Sequence, residues 1–301
     1  MLRLIIAAVL APAALAGSAP SVVAKIDTRG QNVCGSAALG RYLYVDAYGT
    51  GTISKIDPRT NKVLKKTWVG RGPCGVVAGA GALWVEDYNQ DTIARVKPGT
   101  LTVAKQIKVG HRPWDVAFGF GSVWSSNFAS GTVSRIDPKR NRVVTTIETG
   151  GEPTCIRAGD DSIWLASQNT NDVYRIDPAT NAVTTIAVGK GSELCVDPHA
   201  DGVWVSNDTA GSVSRIDPAT NTVVATIPVG VRPADGTRGP DGLEWIPNQG
   251  DGTISRIDPA TNTVVDTIAV SAKPFVVRSY FGDVWSGDFG GNRLWRLRTS
   301  S

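Results

Sequence analysis

Histidine and methionine are almost absent from this chain of 301 residues, which contains two His and one Met. Two imidazoles cannot build a multi-histidine metal site, and any catalytic imidazole must belong to His111 or His199. An excess of one charge is also missing, because 31 Lys and Arg stand against 27 Asp and Glu, for a net charge of +4. That balance does not indicate a nucleic-acid partner. The sequence also lacks a glycine-rich phosphate loop that opens a helix and the CxxC spacing of zinc sites.

Long apolar runs are equally scarce, and only the first residues contain one. The run over residues 4–16 follows a basic start and ends in the small-x-small pattern of Ala14 and Ala16. This pattern is typical of a signal peptide, and the run is too short to span a bilayer, which needs about 20 residues. A buried N-terminal helix is the alternative. We therefore expect residues 1–16 to be a cleaved signal peptide and residues 17–301 to form one secreted or periplasmic domain without a transmembrane anchor.

Repetition dominates the rest of the sequence. The tripeptide Ile-Asp-Pro recurs in steps of 40 residues, once 41, and an aromatic marker recurs in phase with it. The tripeptide occupies 56–58, 136–138, 176–178, 216–218 and 257–259, with Val96-Lys97-Pro98 and Leu297-Arg298-Thr299 as weaker copies. The aromatic marker is Tyr44, Trp84, Trp124, Trp164, Trp204, Trp245 and Trp285. Seven copies of one unit indicate a repeat architecture.

Each copy has the pattern of four short strands. In the third copy, turn signals separate the segments 114–118, 122–126, 132–137 and 143–149, and the last three segments alternate apolar and polar residues. The turn Asp-Pro-x-x-Asn recurs between the third and fourth segments, where Pro fixes φ and Asn tolerates a left-handed conformation. No stretch has helical periodicity. The sequence therefore predicts an all-β, seven-bladed β-propeller of four-stranded blades.

The two ends of the repeat array complement each other. The last copy stops just after its third strand. Residues 21–26, Ser-Val-Val-Ala-Lys-Ile, are similar to the fourth-strand segment 222–227, Thr-Val-Val-Ala-Thr-Ile. We expect the N-terminal strand to complete the last blade and close the ring, because closure removes two exposed sheet edges.

The repeats resemble those of known families. Segments such as 202–207, Gly-Val-Trp-Val-Ser-Asn, and 213–218, Val-Ser-Arg-Ile-Asp-Pro, resemble the bacterial YVTN/YncE-like seven-bladed propeller repeats and the streptogramin (virginiamycin B) lyase family. The resemblance covers nearly all of residues 21–298 and implies the propeller fold. The lyase family further implies an activity in which a histidine acts with a metal-bound acidic site. Glu86 is the nearest match to the family's acidic residue, whereas neither histidine lies in the late blades where that family places its own.

Residues common to all copies are expected to be structural. We predict that the marker Trp side chains fill the space between adjacent blades. A basic residue precedes the Ile of each third strand or its equivalent, at Lys55, Arg95, Arg135, Arg175, Arg215, Arg256 and Arg296. One exposed or inter-blade charge per blade is the favoured interpretation of these cations, and a ring that binds a polyanion is the alternative.

Departures from the repeat are better candidates for function. The position seven residues before each marker is expected to lie nearest the axis, and its occupants are Ala37, Val77, Ala117, Arg157, Asp197, Arg238 and Arg278. The first three blades are apolar there and the last four are charged. Charges near a central tunnel need partners or water. These residues therefore predict either an internal salt-bridge set, in which Asp197 pairs with its arginine neighbours, or an anion-binding site.

One face of the propeller is expected to carry a binding surface. Loops on this face place aromatic side chains on contiguous blades, at Tyr48, Tyr88, Phe128 and Phe289, with His111, Trp114 and Asp115 beside them. The remaining blades carry Gln168, Asp208 and Gln249 at the equivalent positions, and Asp46, Glu86, Asp87 and Asp288 supply further acids. Aromatic rings beside polar groups indicate a site for a small molecule, glycan or peptide. The alternative is that the rings pack under their own loops.

The four cysteines form two pairs with the repeat spacing. Cys34 and Cys74 share a position in blades 1 and 2, and Cys155 and Cys195 share a position in blades 4 and 5. Of the three possible connectivities, only Cys34–Cys74 with Cys155–Cys195 joins neighbouring blades twice. We expect these two disulfides, with a thiolate metal site or free thiols as the alternatives.

The favoured hypothesis for function is a monomeric, exported binding module without a cofactor, because the chain offers few acid–base groups. Its ligand site would comprise the face aromatics with the axial charges, namely Tyr48, Tyr88, Phe128, Phe289, Trp114, Asp115, Arg157, Asp197, Arg238 and Arg278. The alternative, drawn from the resemblance, is a lyase or hydrolase that uses a divalent cation such as Mg²⁺. Asp46 and Glu86 would then hold the metal, and Glu86 and His111 would act in catalysis.

Overall fold

The computed structural model describes residues 20–189, 191 and 193–299 of the chain. These residues form 28 β-strands in seven four-stranded antiparallel sheets, together with one short 3₁₀ helix, Phe128–Ser130. The predicted seven-bladed β-propeller is confirmed. The signal peptide predicted at 1–16 lies outside the described residues. Within the described part of the chain, no helix is long and apolar enough to cross a membrane.

Each blade is one sheet, and its strands are hydrogen-bonded in chain order except in the last blade. Strand β1 (Ser21–Asp27) precedes blade 1, which contains β2 (Val33–Leu39), β3 (Tyr42–Ala47), β4 (Thr52–Asp57) and β5 (Lys62–Trp68). Blade 2 contains β6 (Val76–Gly79), β7 (Ala82–Asp87), β8 (Thr92–Lys97) and β9 (Thr102–Lys108). Blade 3 contains β10 (Pro113–Gly119), β11 (Ser122–Asn127), β12 (Thr132–Asp137) and β13 (Arg142–Glu148). Blade 4 contains β14 (Pro153–Ala158), β15 (Ile163–Ser167), β16 (Asp172–Ile176) and β17 (Val183–Ala187). Blade 5 contains β18 (Glu193–His199), β19 (Gly202–Asn207), β20 (Ser212–Asp217) and β21 (Thr222–Pro228). Blade 6 contains β22 (Thr237–Arg238), β23 (Glu244–Asn248), β24 (Thr253–Asp258) and β25 (Thr263–Ala269). Blade 7 contains β26 (Pro274–Tyr280), β27 (Asp283–Asp288), β28 (Arg293–Arg298) and strand β1.

The N-terminal strand closes the ring. Strand β1 pairs antiparallel with β28, which places Ile26 opposite Leu294. Both side chains are buried in a core cluster that also contains Trp285 of blade 7 and Val33 of blade 1. The predicted completion of the last blade by the N-terminal strand is confirmed, and the sheet edge of β28 is covered.

The repeated aromatic residues and most of the repeated basic residues join neighbouring blades. The marker side chains are at most 2% exposed. In blade 3, the guanidinium of Arg135 lies 4.6 Å from the ring centroid of Trp124. The same guanidinium donates to the carbonyl of Pro178 and to Oδ1 of Asn181 in the β16–β17 turn of blade 4, at 2.7 and 2.8 Å. Arg175, Arg215 and Arg296 make equivalent contacts to the next blade. Arg256 instead pairs with Asp241 and Asp266 of its own blade, and Lys55 lies over the rings of Tyr42 and Tyr44 in its own blade. The repeated cations therefore make local contacts and do not form a free basic ring.

Two disulfides join neighbouring blades near the axis. Cys34 is bonded to Cys74 and Cys155 to Cys195, with Cα atoms 5.0 and 4.7 Å apart. This is the connectivity expected from the repeat spacing. Two disulfides suggest an oxidising environment, such as the extracellular medium or the periplasm.

Candidate functional site

A cavity of about 860 Å³ opens at one mouth of the central tunnel. All seven blades contribute residues to its wall, mostly from their first strands and from the loops that precede them. The loops after the second strands open on the same side, because adjacent strands are antiparallel. The cavity volume lies in the range of about 300–1,000 Å³ that is usual for small-molecule sites.

Three aromatic rings form the first of two groups around this cavity. Tyr48 follows β3, Phe289 follows β27, and Phe275 lies in β26. The ring centroids of Tyr48 and Phe289 are 5.8 Å apart, and those of Phe275 and Phe289 are 5.2 Å apart. All three side chains are half-buried and line the cavity. Phe275 is absent from the sequence prediction, although it is the blade 7 counterpart of Trp114, since each follows the proline that begins its inner strand.

The second aromatic group is centred on Trp114 of β10. Its ring centroid lies 5.2 Å from that of Phe128 and 5.9 Å from that of Tyr88, which meets it edge to face. Trp114 and Tyr88 line the cavity, and Phe128 supports Trp114. The rings contact one another across blades, and do not simply pack each under its own loop.

The two aromatic groups converge on the second disulfide. Trp114 from blade 3 and Phe275 from blade 7 pack against the same small apolar cluster. The members of this cluster are Cys155, Leu194, Cys195 and Ala234. The disulfide between blades 4 and 5 therefore forms part of the surface against which both rings lean.

Polar side chains occupy the remaining side of the cavity. Gln168 and Gln249 line it at the positions where other blades carry aromatic rings. Asp208 accepts from Nε of Arg232 at 3.1 Å, and both residues belong to the lining. The structure thus places an aromatic side and a polar side on one cavity.

Four charged groups form ion pairs inside the tunnel. Arg157 on β14 donates to Asp115 on β10 and to Asp235, which precedes β22. Arg278 on β26 donates to both carboxylate oxygens of Asp235, at 3.0 and 2.5 Å. Although burial opposes the charged guanidinium, the carboxylates of Asp115 and Asp235 raise the pKa of Arg157. Arg157 and Arg278 therefore belong to an internal salt-bridge set, but their partners are Asp115 and Asp235 and not the predicted Asp197.

The predicted axial position of Arg238 is wrong. Strand β22 is only two residues long, and it pairs Thr237 with Trp245 and Arg238 with Glu244. In the other blades, the residue opposite the marker is the axial one that the sequence identifies. Blade 6 contains one additional residue, so Thr237 takes that position and Arg238 turns away from it.

Asp235 enters the tunnel in blade 6 instead. It follows Pro233 by two residues, as Asp115 follows Pro113 in blade 3. Asp235 could have been identified from the sequence by counting forward from the proline that precedes the first strand of the blade. Counting back from the marker Trp245 includes the inserted residue and therefore identifies Arg238 instead of Thr237 as the axial residue.

A second charged cluster lies at the far end of β18, away from the aromatic cavity. His199 Nε2 lies 2.8 Å from Asp197 Oδ2 and 3.6 Å from Glu244 Oε1. Arg238 donates through Nε to Glu244 and through a terminal nitrogen to Asp201 at 3.0 Å. Burial opposes protonation of His199, but the hydrogen bond and the charge of Asp197 raise its pKa overall. Asp197 and Arg238 therefore do not join the cavity lining, contrary to their grouping with the aromatic face.

Two buried acids lie on the second strands of blades 1 and 2. Asp46 accepts from the backbone N–H of Gly35 at 2.8 Å, and Glu86 accepts from that of Cys74. Asp46 Oδ2 and Glu86 Oε2 have no hydrogen-bond partner among the described residues. Burial raises the pKa of both carboxyl groups well above their ordinary values. Both groups are thus protonated more readily than free carboxyls.

The pair Asp46 and Glu86 does not fit a Mg²⁺ site. Magnesium takes six ligands in a nearly octahedral arrangement and usually retains several waters. Both side chains are at most 1% exposed, so neither carboxylate is open to solvent. Among the described residues, the clusters of three or more donors close enough to hold a metal include neither acid.

His111 lies on the rim, in a different environment from Glu86. Its side chain is 75% exposed, and its Nδ1 lies 2.9 Å from Asp91 Oδ2. Glu86 is buried and faces the backbone of Cys74. The structure does not bring the two predicted catalytic candidates into one site.

Comparison with known proteins identifies the fold. No protein-family model and no curated protein matches the chain. A streptogramin B lyase structure shares 15% identity and a TM-score of 0.79, covering 93% of this chain and 97% of that one. The virginiamycin B lyase of Staphylococcus aureus shares 15% identity and a TM-score of 0.81, covering 91% and 98%, and an inactive form of it has been solved with quinupristin.

The same likeness extends to a protein of different chemistry. Hydrazine synthase of Kuenenia stuttgartiensis shares 15% identity and a TM-score of 0.79, covering 91% of this chain and 97% of that one. The expected structural resemblance to the streptogramin lyases is therefore confirmed at the level of the fold. At such identity the fold alone is shared, because propellers carry unrelated functions.

Proposed function

We propose that this chain is an exported binding protein that holds a small molecule, glycan or peptide at the aromatic mouth of its tunnel. One observation carries the proposal: two aromatic groups and a polar side share one cavity of about 860 Å³. Aromatic faces stack on flat apolar surfaces of a ligand, and amide and charged groups bind its polar edges. The ligand expected here has both kinds of surface.

The chemistry of the tunnel supports binding rather than catalysis. Arg157, Arg278, Asp115 and Asp235 are committed to one another. The exposed His111 pairs with Asp91 outside the cavity lining. No described side chain in the cavity therefore combines an acid or base with a poised nucleophile.

The ligand can be found by screening the mature chain, residues 17–301, against glycan, peptide and small-molecule libraries by thermal shift. A ligand that binds only the folded protein raises the melting temperature. Trp114→Ala is expected to abolish this shift, because the substitution removes the central ring of the second aromatic group. Trp68→Ala is the matched control, since Trp68 is 54% exposed on the outer strand β5 and lies outside the cavity lining. Equal shifts in the Trp114→Ala variant and the native protein would refute the site.

Export rests on the sequence of residues 1–16 and on the two disulfides. Expression of the whole chain in a bacterial host, followed by N-terminal sequencing of the periplasmic or secreted protein, tests it. We expect the mature protein to begin at Gly17. Recovery of uncleaved protein in the cytoplasm alone would contradict export.

The lyase alternative has a direct test because the fold is shared with the virginiamycin B lyase. Incubation of the protein with quinupristin and Mg²⁺, followed by mass spectrometry, would detect a change in the substrate. We expect none, because Glu86 and His111 lie apart and the acids of blades 1 and 2 are sealed from water. Turnover that is lost in the Glu86→Gln variant would establish the enzyme instead.

A further inference from the structure

We propose that Asp197, His199 and Glu244 form a site for a divalent transition metal at the end of the tunnel opposite the aromatic cavity. One donor atom from each residue lies within 4.8 Å of the others. His199 ends strand β18, whose other end contributes Leu194 to the cavity, so the two sites lie at opposite ends of one strand. This inference is independent of the ligand proposed for the aromatic mouth.

The distances suit a single ion. His199 Nε2 lies 2.8 Å from Asp197 Oδ2 and 3.6 Å from Glu244 Oε1. Two ligands of one Zn²⁺, each about 2.0–2.2 Å from the metal, lie about 3.0–3.5 Å from each other. The observed separations bracket that range. Small side-chain rotations are enough to bring all three donors to one metal.

One buried oxygen of Glu244 favours cation binding at this cluster. Glu244 is fully buried, and its Oε2 has no hydrogen-bond partner among the described residues. A buried carboxylate oxygen without a partner destabilises the fold. Oε1 of the same carboxylate already accepts from Arg238, so a metal ion bound through both oxygens of Glu244 would satisfy Oε2.

The local charge is also consistent with a divalent cation. The guanidinium of Arg238 donates to the carboxylates of Asp201 and Glu244, and a third carboxylate, that of Asp197, accepts from the backbone N–H of Arg238. When the imidazole is neutral and all three carboxylates are ionised, the charge of Arg238 leaves two net negative charges, which a divalent ion would balance. Arg238 would remain outside the ligand set and orient Glu244 by its hydrogen bond, as second-layer residues do in metal sites.

The donor set indicates the class of metal. One imidazole with two carboxylates suits Zn²⁺, Mn²⁺ and related transition metals better than Ca²⁺ or Mg²⁺, which prefer oxygen ligands alone. A pocket of about 290 Å³ that His199 lines offers a route from solvent. On binding, the metal replaces the proton that His199 Nε2 shares with Asp197, and that proton is released to water.

Because the chain contains only two histidines, NMR spectroscopy can test this metal site one imidazole at a time. The mature protein, prepared without an affinity tag, has two imidazoles, so a ¹⁵N-detected imidazole spectrum contains two sets of signals. Titration with ZnCl₂ is expected to shift the His199 signals at one equivalent and to leave those of His111 in place. The His111→Ala variant assigns the signals and is the matched control, since it also removes one imidazole beside a carboxylate.

Calorimetry then measures the contribution of each ligand. We expect His199→Ala to weaken Zn²⁺ binding at least tenfold and His111→Ala to leave it unchanged. Circular dichroism checks that each variant has the native fold. If His199→Ala does not fold, Glu244→Gln provides the second test of the site. The proposal is overturned if the native protein binds no Zn²⁺ at millimolar concentration, if the His111 signals move instead, or if neither site variant weakens binding.

Discussion

Arg157 of blade 4 forms an ion pair with Asp235 of blade 6, across the tunnel and past the intervening blade. The same carboxylate receives Arg278 of blade 7. Arg157 also pairs with Asp115 of blade 3. Two cations and two anions therefore connect four blades at the axis, where the repeated contacts between adjacent blades do not reach.

Removal of the central carboxylate should destabilise the propeller strongly. Asp235→Ala leaves two buried guanidinium groups without their shared partner, and the expected loss in the free energy of unfolding is about 3–5 kcal/mol. Urea denaturation followed by tryptophan fluorescence measures it. Arg140→Ala serves as the control, because Arg140 is exposed where it pairs with Asp137, and little change is expected. A similar small effect for Asp235→Ala would show that the network does not hold the blades together.

A carboxylate in blade 2 should make stability depend on pH. Burial raises the pKa of Asp87 to about 6 from an ordinary value of 3.8. The folded state thus binds this proton more tightly than the unfolded chain does, so the contribution of Asp87 to stability is lost as the pH rises from about 4 to 6. Asp87 Oδ2 also lacks a partner among the described residues.

The repeat itself suggests the corresponding variant. Blade 3 carries Asn127 at the position of Asp87, and its amide donates to Thr132. Blade 2 offers Thr92 in the same register. Asp87→Asn should therefore increase the free energy of unfolding at pH 7 by about 1 kcal/mol, with the gain shrinking toward pH 4. Chemical denaturation at several pH values checks both the sign and the trend, and a variant less stable than the native protein at pH 7 would contradict the argument.

The disulfide between blades 1 and 2 should contribute to stability by restricting the unfolded chain. It links residues that are 40 apart in sequence. The double variant Cys34→Ser, Cys74→Ser is expected to lose about 2–4 kcal/mol in the free energy of unfolding. Addition of reductant should lower the melting temperature of the native protein further than that of this variant, which retains only one disulfide. Identical behaviour of the two proteins without reductant would argue that the bond forms no part of the native state.

Closure of the ring should depend on one apolar side chain of β1. Ile26 is buried between the last and first blades. Ile26→Ala is expected to lower the free energy of unfolding by about 2–4 kcal/mol, because it leaves a cavity at the seam. Val23 on the same strand is 41% exposed, so Val23→Ala should have a much smaller effect in the same denaturation experiment. Equal effects would mean that β1 is not anchored by its buried face.

Much of the fold could be predicted from the sequence because its signals are local and repeated. The strands of blade 3 agree with the predicted segments to within one residue at each end. The disulfides follow from the period, because a step of one repeat places equivalent residues on neighbouring blades. Because the sequence of β1 is similar to the fourth strands of other blades, the closure of the ring by β1 could be predicted.

The charged contacts were harder to predict, for a physical reason. Arg157 and Asp235 are 78 residues apart and belong to blades that are not neighbours, so no periodic pattern relates them. A single inserted residue in blade 6 reverses the side to which Arg238 points, because side chains alternate along a strand. The contact of His199 with Glu244 likewise joins residues of two different blades that no periodic pattern relates.

The pairing of β1 with β28 also has a consequence for folding. Strand β1 is synthesised long before its partner β28, and until the two strands pair the seventh sheet has a bare edge. Six other blades hold outer strands of similar sequence, each of which could occupy that edge in a second molecule. Crowding of nascent chains is therefore expected to favour strand exchange between molecules at this seam before any other place in the protein.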